Sequence, residues 1–211
     1  MELEQAVRNN KKIKILAYTV SKNIEFKLKE VLGFILELYT RIDLLPALYT
    51  CVKELLVNAV KANFKNIYFE GYYNQDASSM LDYDLALKLF KLEIARNEAE
   101  HLGSYAKEFG IMAEMIIQVI DGTLIITITN PVKMTDVEKK RVFKKMTSAM
   151  DCADIAEYFE AMDEETSEEG AGLGLVLVSI ILKNIGIKDI VFKIIPESTQ
   201  TTAYLSIPLK H

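Results

Sequence analysis

Apolar positions recur along the first third of the chain with two different periods, one typical of strands and the other of helices. Residues 12–19 alternate as a half-buried strand does, and residues 23–41 repeat apolar side chains every three or four positions, as an amphipathic helix does. Pro46 suits the first turn of a second helix, which we expect to run to about Asn63. Residues 66–72 then predict a further strand.

The second half of the chain predicts a hairpin, two helices and two closing strands. The hairpin is indicated by Asp121-Gly122, a dipeptide that readily adopts the positive φ angles of a tight turn. In chain order, the predicted elements are strands over 115–120 and 123–129, a helix over 136–146, a helix over 174–184 that stops near Gly186, and strands over 189–195 and 201–207. These elements predict an antiparallel sheet accompanied by helices.

Two regions depart from this pattern. Residues 74–114 carry apolar side chains that step by threes and fours, so they predict one or two amphipathic helices, which serve either as a cover or as a docking or effector-sensing insertion. Residues 149–182 contain no Lys or Arg, and nine carboxylates fall between Asp151 and Glu169. Because blocks of like charge repel, this acidic segment predicts a flexible loop.

Length and charge narrow the class of protein. Half of the 211 residues are apolar, which is enough for one well-buried domain, and the net charge of −5 gives no general attraction for nucleic acid. The start of the chain lacks a signal-peptide pattern and no apolar run is long enough to span a bilayer, so we expect a soluble cytoplasmic protein. Cys51 and Cys152 match no zinc or redox spacing.

A glycine-rich turn is the first feature that points to chemistry. Gly170, Gly172 and Gly174 run into an apolar helical segment, where unshielded backbone N–H groups and the helix dipole favour phosphate oxygens. No strand leads directly into these glycines, as a dinucleotide fingerprint requires, and no Lys-Ser or Lys-Thr follows them, as a Walker loop requires. Glycine clusters also serve as hinges or as close-packing points between helices.

A polar stripe on the second predicted helix is the other such feature. Glu54, Asn58 and Lys61 are spaced i, i+4 and i+7, so a carboxylate, an amide and an ammonium group share one helix face. Such a stripe is often only the solvated face of an amphipathic helix. Together with the glycine turn, it supplies the oxygen ligands and the phosphate donors that a magnesium-bound nucleotide needs.

The order of these features resembles a known superfamily. The stripe, a hairpin ending in Asn130, residues 141–147 and residues 170–175 follow one another as in the ATP-binding domain shared by gyrase, heat-shock chaperones, histidine kinases and mismatch-repair ATPases. This is the GHKL superfamily, and its histidine kinase branch is the most similar. The resemblance covers residues 46–73 and 115–209.

The resemblance implies a fold and a domain organisation. The fold is the Bergerat-type ATP-binding fold, an α/β (α+β) two-layer sandwich with a mostly antiparallel mixed sheet and helices on one face. The implied organisation is one domain over 1–211, with an N-terminal strand and helix extension over 1–45, a helical insertion over 74–114 and an ATP lid over 147–172.

The resemblance also implies a role for each matching residue. Asn58 would ligate the Mg²⁺ that bridges the phosphates of ATP, and Glu54 would orient a water or act as the general base. The other implied nucleotide-binding residues are Lys61 toward the phosphates, Phe143 in the phenylalanine box, Gly170, Gly172, Leu173 and Gly174 in the second glycine box, and Thr202 near the adenine pocket.

Two departures from the family pattern bear on the chemistry. Where the first glycine box normally reads Asp-x-Gly-x-Gly, this chain has Asn130 followed by Pro131, so a neutral amide oxygen would accept a hydrogen bond from the adenine amino group. The only histidines are His101 and His211, and neither lies in a phosphoacceptor motif.

These features lead to an expectation and two alternatives. The resemblance implies an ATP-binding, histidine kinase-like signalling protein, of the two-component type, that acts on a separate partner such as a phosphoacceptor protein or response regulator. A serine kinase of the anti-sigma type fits the same pattern. The other alternative is a non-catalytic module that keeps the fold, has lost turnover and docks a partner through the surface over 81–109.

Overall fold

The computed structural model describes residues 2–9, 11–73, 90, 92, 99–161 and 173–210. In chain order they form α1 (Glu2–Arg8), β1 (Ile13–Ala17), α2 (Lys22–Leu38), a 3₁₀ helix (Ile42–Leu44), α3 (Leu45–Tyr73), α4 (Ala99–Glu108), β2 (Ala113–Ile120), β3 (Thr123–Asn130), α5 (Asp136–Asp151), α6 (Ile155–Glu160), α7 (Leu173–Asn184), β4 (Val191–Pro196) and β5 (Thr201–Pro208). Within these ranges, no helix combines the length and apolar character needed to cross a bilayer.

Five strands form one sheet in the order β1-β2-β3-β5-β4. The predicted antiparallel hairpins are confirmed, and β1, from the N-terminal extension, pairs with β2 at one edge. The prediction of a mixed sheet is wrong for the described strands, because all four pairings are antiparallel. The long connection from β3 returns through β4 to β5, which lies antiparallel beside β3, so no parallel neighbour arises.

The sheet buries one of its two faces. Alternate residues of β2 and β3 are buried, whereas the residues between them are mostly half-buried. Helix α3 contacts β2 and β3, and it also contacts α2, α4 and α7. The result is an α+β arrangement compatible with a two-layer sandwich. The largest fully buried side chains are Leu28, Leu32, Ile35, Leu36, Leu48, Leu56, Met115, Ile117, Leu124, Ile126, Ile128 and Leu205.

Helix α3 is much longer than the sequence pattern predicted. The strand expected over 66–72 is wrong, because this segment continues the helix to Tyr73. Phe64, Ile67 and Tyr68 are buried at the three and four spacing of the preceding turns, so they extend the same core-facing surface. The β-branched and aromatic residues that suggested a strand are therefore packed as helix positions.

The acidic segment is also more structured than its charge pattern predicted. A flexible loop was expected from residue 151 onward, but α6 forms at Ile155–Glu160 and packs against α7. Tyr158 is buried in a small second core with Val176 and Ile180, which anchors this part of the segment. Residues 162–172 lie outside the described residues. The free energy gained by burying the apolar side chains of α6 thus exceeds the cost of repulsion among its exposed carboxylates.

The prediction of helix within residues 74–114 is confirmed for Ala99–Glu108. Helix α4 packs against α3, and its residues Leu102 and Ala106 are buried. This part of the insertion acts as a cover, although Phe109 beyond it is exposed. The predicted apolar positions over 81–89 lie outside the described residues.

Two glycines should respond in opposite ways to an added methyl group. Gly122 has a φ of 82°, and a Cβ there would overlap the side chain of Lys210, so Gly122→Ala should destabilise the protein by about 1–2 kcal/mol. Gly33 is helical and a Cβ would make an ordinary 3.7 Å contact with Leu45, so Gly33→Ala should stabilise it by about 0.5–1 kcal/mol. Urea denaturation of both variants measures this difference. Equal shifts of the two midpoints would contradict the hairpin geometry.

Candidate functional site

The first turn of α7 lies directly against the polar stripe of α3. A Cβ built at Gly174 would lie only 2.6 Å from Glu54 Oε2 and 3.2 Å from Asn58 Nδ2. Glycine therefore leaves room for the Glu54 carboxylate, which a side chain at this position would displace. Two motifs that are distant in the sequence face each other at this contact.

The side chains at this contact are polar and partly withdrawn from water. Glu54 and Asn58 are half-buried, and Lys61 is exposed one turn further along α3. The carboxylate of Glu54 lies at the N-terminal end of α7, where the helix dipole favours negative charge. The amide group of Asn58, a carboxylate and a helix N-terminus thus meet at one place.

Three buried amide atoms of the described residues have no hydrogen-bond partner. They are Asn58 Nδ2, Asn63 Oδ1 and Asn130 Nδ2. Asn63 follows Glu54 by about two and a half helical turns, so it lies on the opposite side of α3 from the stripe. Because a buried unpaired polar group costs about 1–3 kcal/mol, Asn58 and Asn130 are places where a ligand would recover free energy.

The stripe continues beyond the residues that sequence analysis singled out. Lys65, one turn after Lys61, forms an ion pair with Glu138, with Nζ and Oε1 2.5 Å apart. Glu138 is also the N3 residue of a capping box with Thr135 at the start of α5. The stripe is therefore bounded by α7 at one end and by α5 at the other. Lys65 follows Glu54 by eleven residues, or about three helical turns, so the sequence spacing alone could have placed it on the same helix face.

The Glu138 carboxyl is held in its charged form. Burial by itself would raise its pKa, but hydrogen bonds from Lys65 and from Thr135 outweigh burial, so the pKa lies below its usual value. The pair consequently fixes the start of α5 against α3.

Asn130 ends β3 on the face that packs against the helices. Its side chain is 5% exposed, and its cross-strand partner is Thr201, whose Oγ1 donates a hydrogen bond to the Val132 carbonyl. The expected Thr202 lies on the opposite face, where its hydroxyl bonds to that of Thr129 at 2.9 Å. Strand alternation therefore places Thr201, and not Thr202, on the face of Asn130.

Phe143 lies in a separate apolar groove between α5, α7 and β4. The groove has a volume of about 730 Å³, and Met146, Met150 and Phe192 also line it. Phe143 is 46% exposed there. Glu54, Asn58 and Gly174 do not line this groove.

The remaining predicted site residues lie around the start of α7. Leu173 is its first residue and packs against the second core, whereas Gly170 and Gly172 fall outside the described residues. At the other end of α7, Lys183 donates hydrogen bonds to the carbonyls of Met150 and Cys152, at 2.7 and 3.1 Å. Sequence analysis missed this anchor for the acidic segment, because a lone Lys in a helix carries no distinctive signal.

The donor set suits a hard cation held by few protein ligands. Among the described residues, no group of three or more His, Cys, Asp or Glu side chains is arranged to hold a metal ion. Mg²⁺ usually takes one or two protein oxygens and completes its shell with water and phosphate. The Glu54 carboxylate and the amide oxygen of Asn58, one helical turn apart, supply the two oxygen atoms that such a site requires.

The chain was also compared with known proteins. No family model and no solved structure matches it. It is similar to an uncharacterized protein of Treponema pallidum (strain Nichols), with 31% identity over 207 residues that cover 98% of this chain. The chain spans only about 40% of the length of that relative. Because that relative is uncharacterized, the similarity carries no activity to this chain.

The contact at Gly174 predicts energetic coupling between α3 and α7. Gly174→Ala should cost about 1 kcal/mol because its Cβ displaces the Glu54 carboxylate, but in a Glu54→Ala background it should be neutral or stabilising. Denaturant unfolding of the two single variants and the double variant measures this coupling. Gly103→Ala, whose Cβ would meet Thr19 at 3.5 Å, is the control and should add independently to Glu54→Ala. Strict additivity in both cycles would show that α7 and α3 do not touch here.

The ion pair at Glu138 predicts a dependence of stability on pH. Since the folded pKa of Glu138 is lowered, its contribution is present above the unfolded pKa of about 4.3 and is lost as the pH falls through the folded value. Glu138→Gln should therefore cost about 1 kcal/mol at pH 7 and much less near pH 3. Thermal unfolding across this range, with the exposed Glu30→Gln as control, measures the difference. A pH-independent difference would contradict this assignment.

Proposed function

We propose that this chain binds Mg-ATP as a histidine kinase-like domain with a Bergerat-type fold. The observation that carries the proposal is the contact of Gly174 with Glu54 and Asn58, because it joins the glycine turn to the polar stripe. The nucleotide would be bound from two sides. Backbone N–H groups at the start of α7 would donate to its phosphates, and side-chain oxygens of α3 would ligate its Mg²⁺. Such an ATP-dependent activity belongs in the cytoplasm, where ATP is available.

Each side chain takes a distinct part in this proposal. Asn58 holds Mg²⁺ through its amide oxygen, and Lys61 approaches the phosphates from the exposed end of the stripe. Bound Mg²⁺ offsets part of the triphosphate charge. Glu54 orients the attacking hydroxyl or water and accepts its proton. Asn130, buried at the end of β3, faces the base.

The acceptor of the phosphoryl group belongs to a separate protein in this proposal. His101 and His211 lie in no phosphoacceptor motif, so a partner has to supply the accepting side chain, either histidine or serine. The acidic segment directly precedes α7 in the sequence, so in this proposal Mg²⁺ and Lys61 compensate the repulsion between its carboxylates and the triphosphate. This compensation couples nucleotide binding to the divalent cation.

The second candidate function is nucleotide binding without turnover. It is favoured by Asn130 in place of the usual acid of the family, since a neutral acceptor makes a weaker bond to the base. In that case the domain reports nucleotide occupancy to a partner instead of transferring phosphate. Turnover distinguishes the two functions.

Binding is tested by calorimetric titration with Mg-ATP. The parent protein should release heat with saturation, and Asn58→Ala should weaken binding at least tenfold because it removes the amide ligand. Asn23→Ala, an exposed asparagine on the neighbouring helix α2, is the matched control and should bind as the parent does. No heat from the parent, or equal binding by Asn58→Ala, would refute the proposal.

Turnover is tested by ATP hydrolysis and by phosphotransfer to candidate partners. Glu54→Gln should lower turnover by about 100-fold or more while nucleotide binding is kept, because the amide cannot accept the proton. Release of phosphate that is unaffected by this variant would exclude Glu54 as the base. Tight binding with no turnover in the parent would favour the second function.

A further inference from the structure

Asn130, to which the proposed function assigns the base, combines burial with an unused hydrogen-bond donor. Its side chain is 5% exposed, and Nδ2 has no partner among the described residues. Strand alternation directs it to the helix-facing side of the sheet, toward α3, which contacts β3. The group is therefore held inside the fold but is chemically incomplete.

Within the part of the chain that the structure describes, no hydrogen bond from Nδ2 fixes the orientation of the Asn130 amide. Thr201, the cross-strand partner, uses its hydroxyl proton on the Val132 carbonyl at 2.8 Å. That bond fixes the turn after β3 and leaves Thr201 Oγ1 with acceptor capacity only. An amide in this setting can present either its oxygen or its nitrogen to a ligand, since the two ends differ little in shape.

An amide can form a hydrogen bond with either a 6-amino or a 6-oxo group of a purine, whereas a carboxylate can form one only with the 6-amino group. With adenine, the oxygen accepts from the 6-amino group and the nitrogen donates to N1. With a 6-oxopurine, the same amide turned by about 180° donates to O6 and accepts from N1–H. A carboxylate only accepts, so the oxygen that would take a hydrogen bond from the 6-amino group instead meets O6, a second acceptor with no proton between them.

We propose that Asn130 makes the base subsite accept 6-oxopurine nucleotides as well as ATP. This inference rests on the proposed nucleotide-binding function and adds the substrate class to it. The buried Nδ2 is the observation that carries it, because a donor without a partner gains most from an acceptor such as O6.

The test compares ATP with inosine triphosphate, which differs from it only in the 6-substituent and the proton on N1. Calorimetry with Mg²⁺ should give dissociation constants within tenfold of each other for the parent protein. Asn130→Asp removes the donor and should shift the ratio at least tenfold in favour of ATP. Asn130→Leu, of similar size, should weaken both nucleotides and leave their ratio within tenfold.

Each outcome decides the matter. Discrimination against inosine triphosphate by more than tenfold in the parent overturns the inference, as does a ratio unchanged by Asn130→Asp. Thermal unfolding shows whether Asn130→Asp folds; where it does not, undiminished binding of both nucleotides by Asn130→Leu overturns the inference instead. Failure of the parent to bind either nucleotide refutes the proposed function itself, which separates the two claims.

Discussion

The close approach of the α7 backbone to α3 at Gly174 is the constraint on which the candidate site depends. A side chain at this position would occupy the space of the Glu54 carboxylate, so glycine lets that carboxylate lie directly against the start of α7. Helix α7 also packs against α5 and α6, so it connects the site at Gly174 with these two helices. Its C-terminal end holds the acidic segment through Lys183 and Asn184. One helix thus links the stripe, the second core and the acidic segment.

Among the described residues, several polar groups between the packed helices have hydrogen-bond partners, whereas two buried amide nitrogens of the candidate site do not. Between α2 and α3, Glu25 accepts hydrogen bonds from Lys53 at 2.8 Å and Tyr49 at 3.0 Å, and the bond from Lys53 lowers the pKa of Glu25 despite the effect of burial. Lys65 and Glu138 likewise satisfy each other between α3 and α5. By contrast, the buried amide nitrogens of Asn58 and Asn130 are left without partners. Asn63 Oδ1 is likewise unpartnered within the described ranges, on the opposite side of α3, so it is the position of Asn58 in the stripe and of Asn130 at the end of β3 that makes these two candidate ligand-binding residues.

Several elements follow directly from local sequence rules. Asp121-Gly122 has the positive φ angles of a tight hairpin turn, the apolar spacing of residues 23–41 gives α2, and strand alternation in residues 115–129 gives the buried face of the hairpin. Local rules failed where tertiary packing overrode them. Residues 66–72 have strand-like composition, yet they extend α3 because Ile67 and Tyr68 bury themselves against the same core as the preceding turns.

The sequence by itself determined the parts of the candidate site but not their arrangement. The i, i+4 spacing of Glu54 and Asn58 fixed that they share a helix face, because helical geometry is local. Tertiary structure alone decided that Gly174 lies against that face, that Thr201 and not Thr202 accompanies Asn130, and that α6 docks on α7. These outcomes depend on strand register and on helix packing between segments distant in the chain. No local pattern encodes them, since they result from burying all the apolar faces at once.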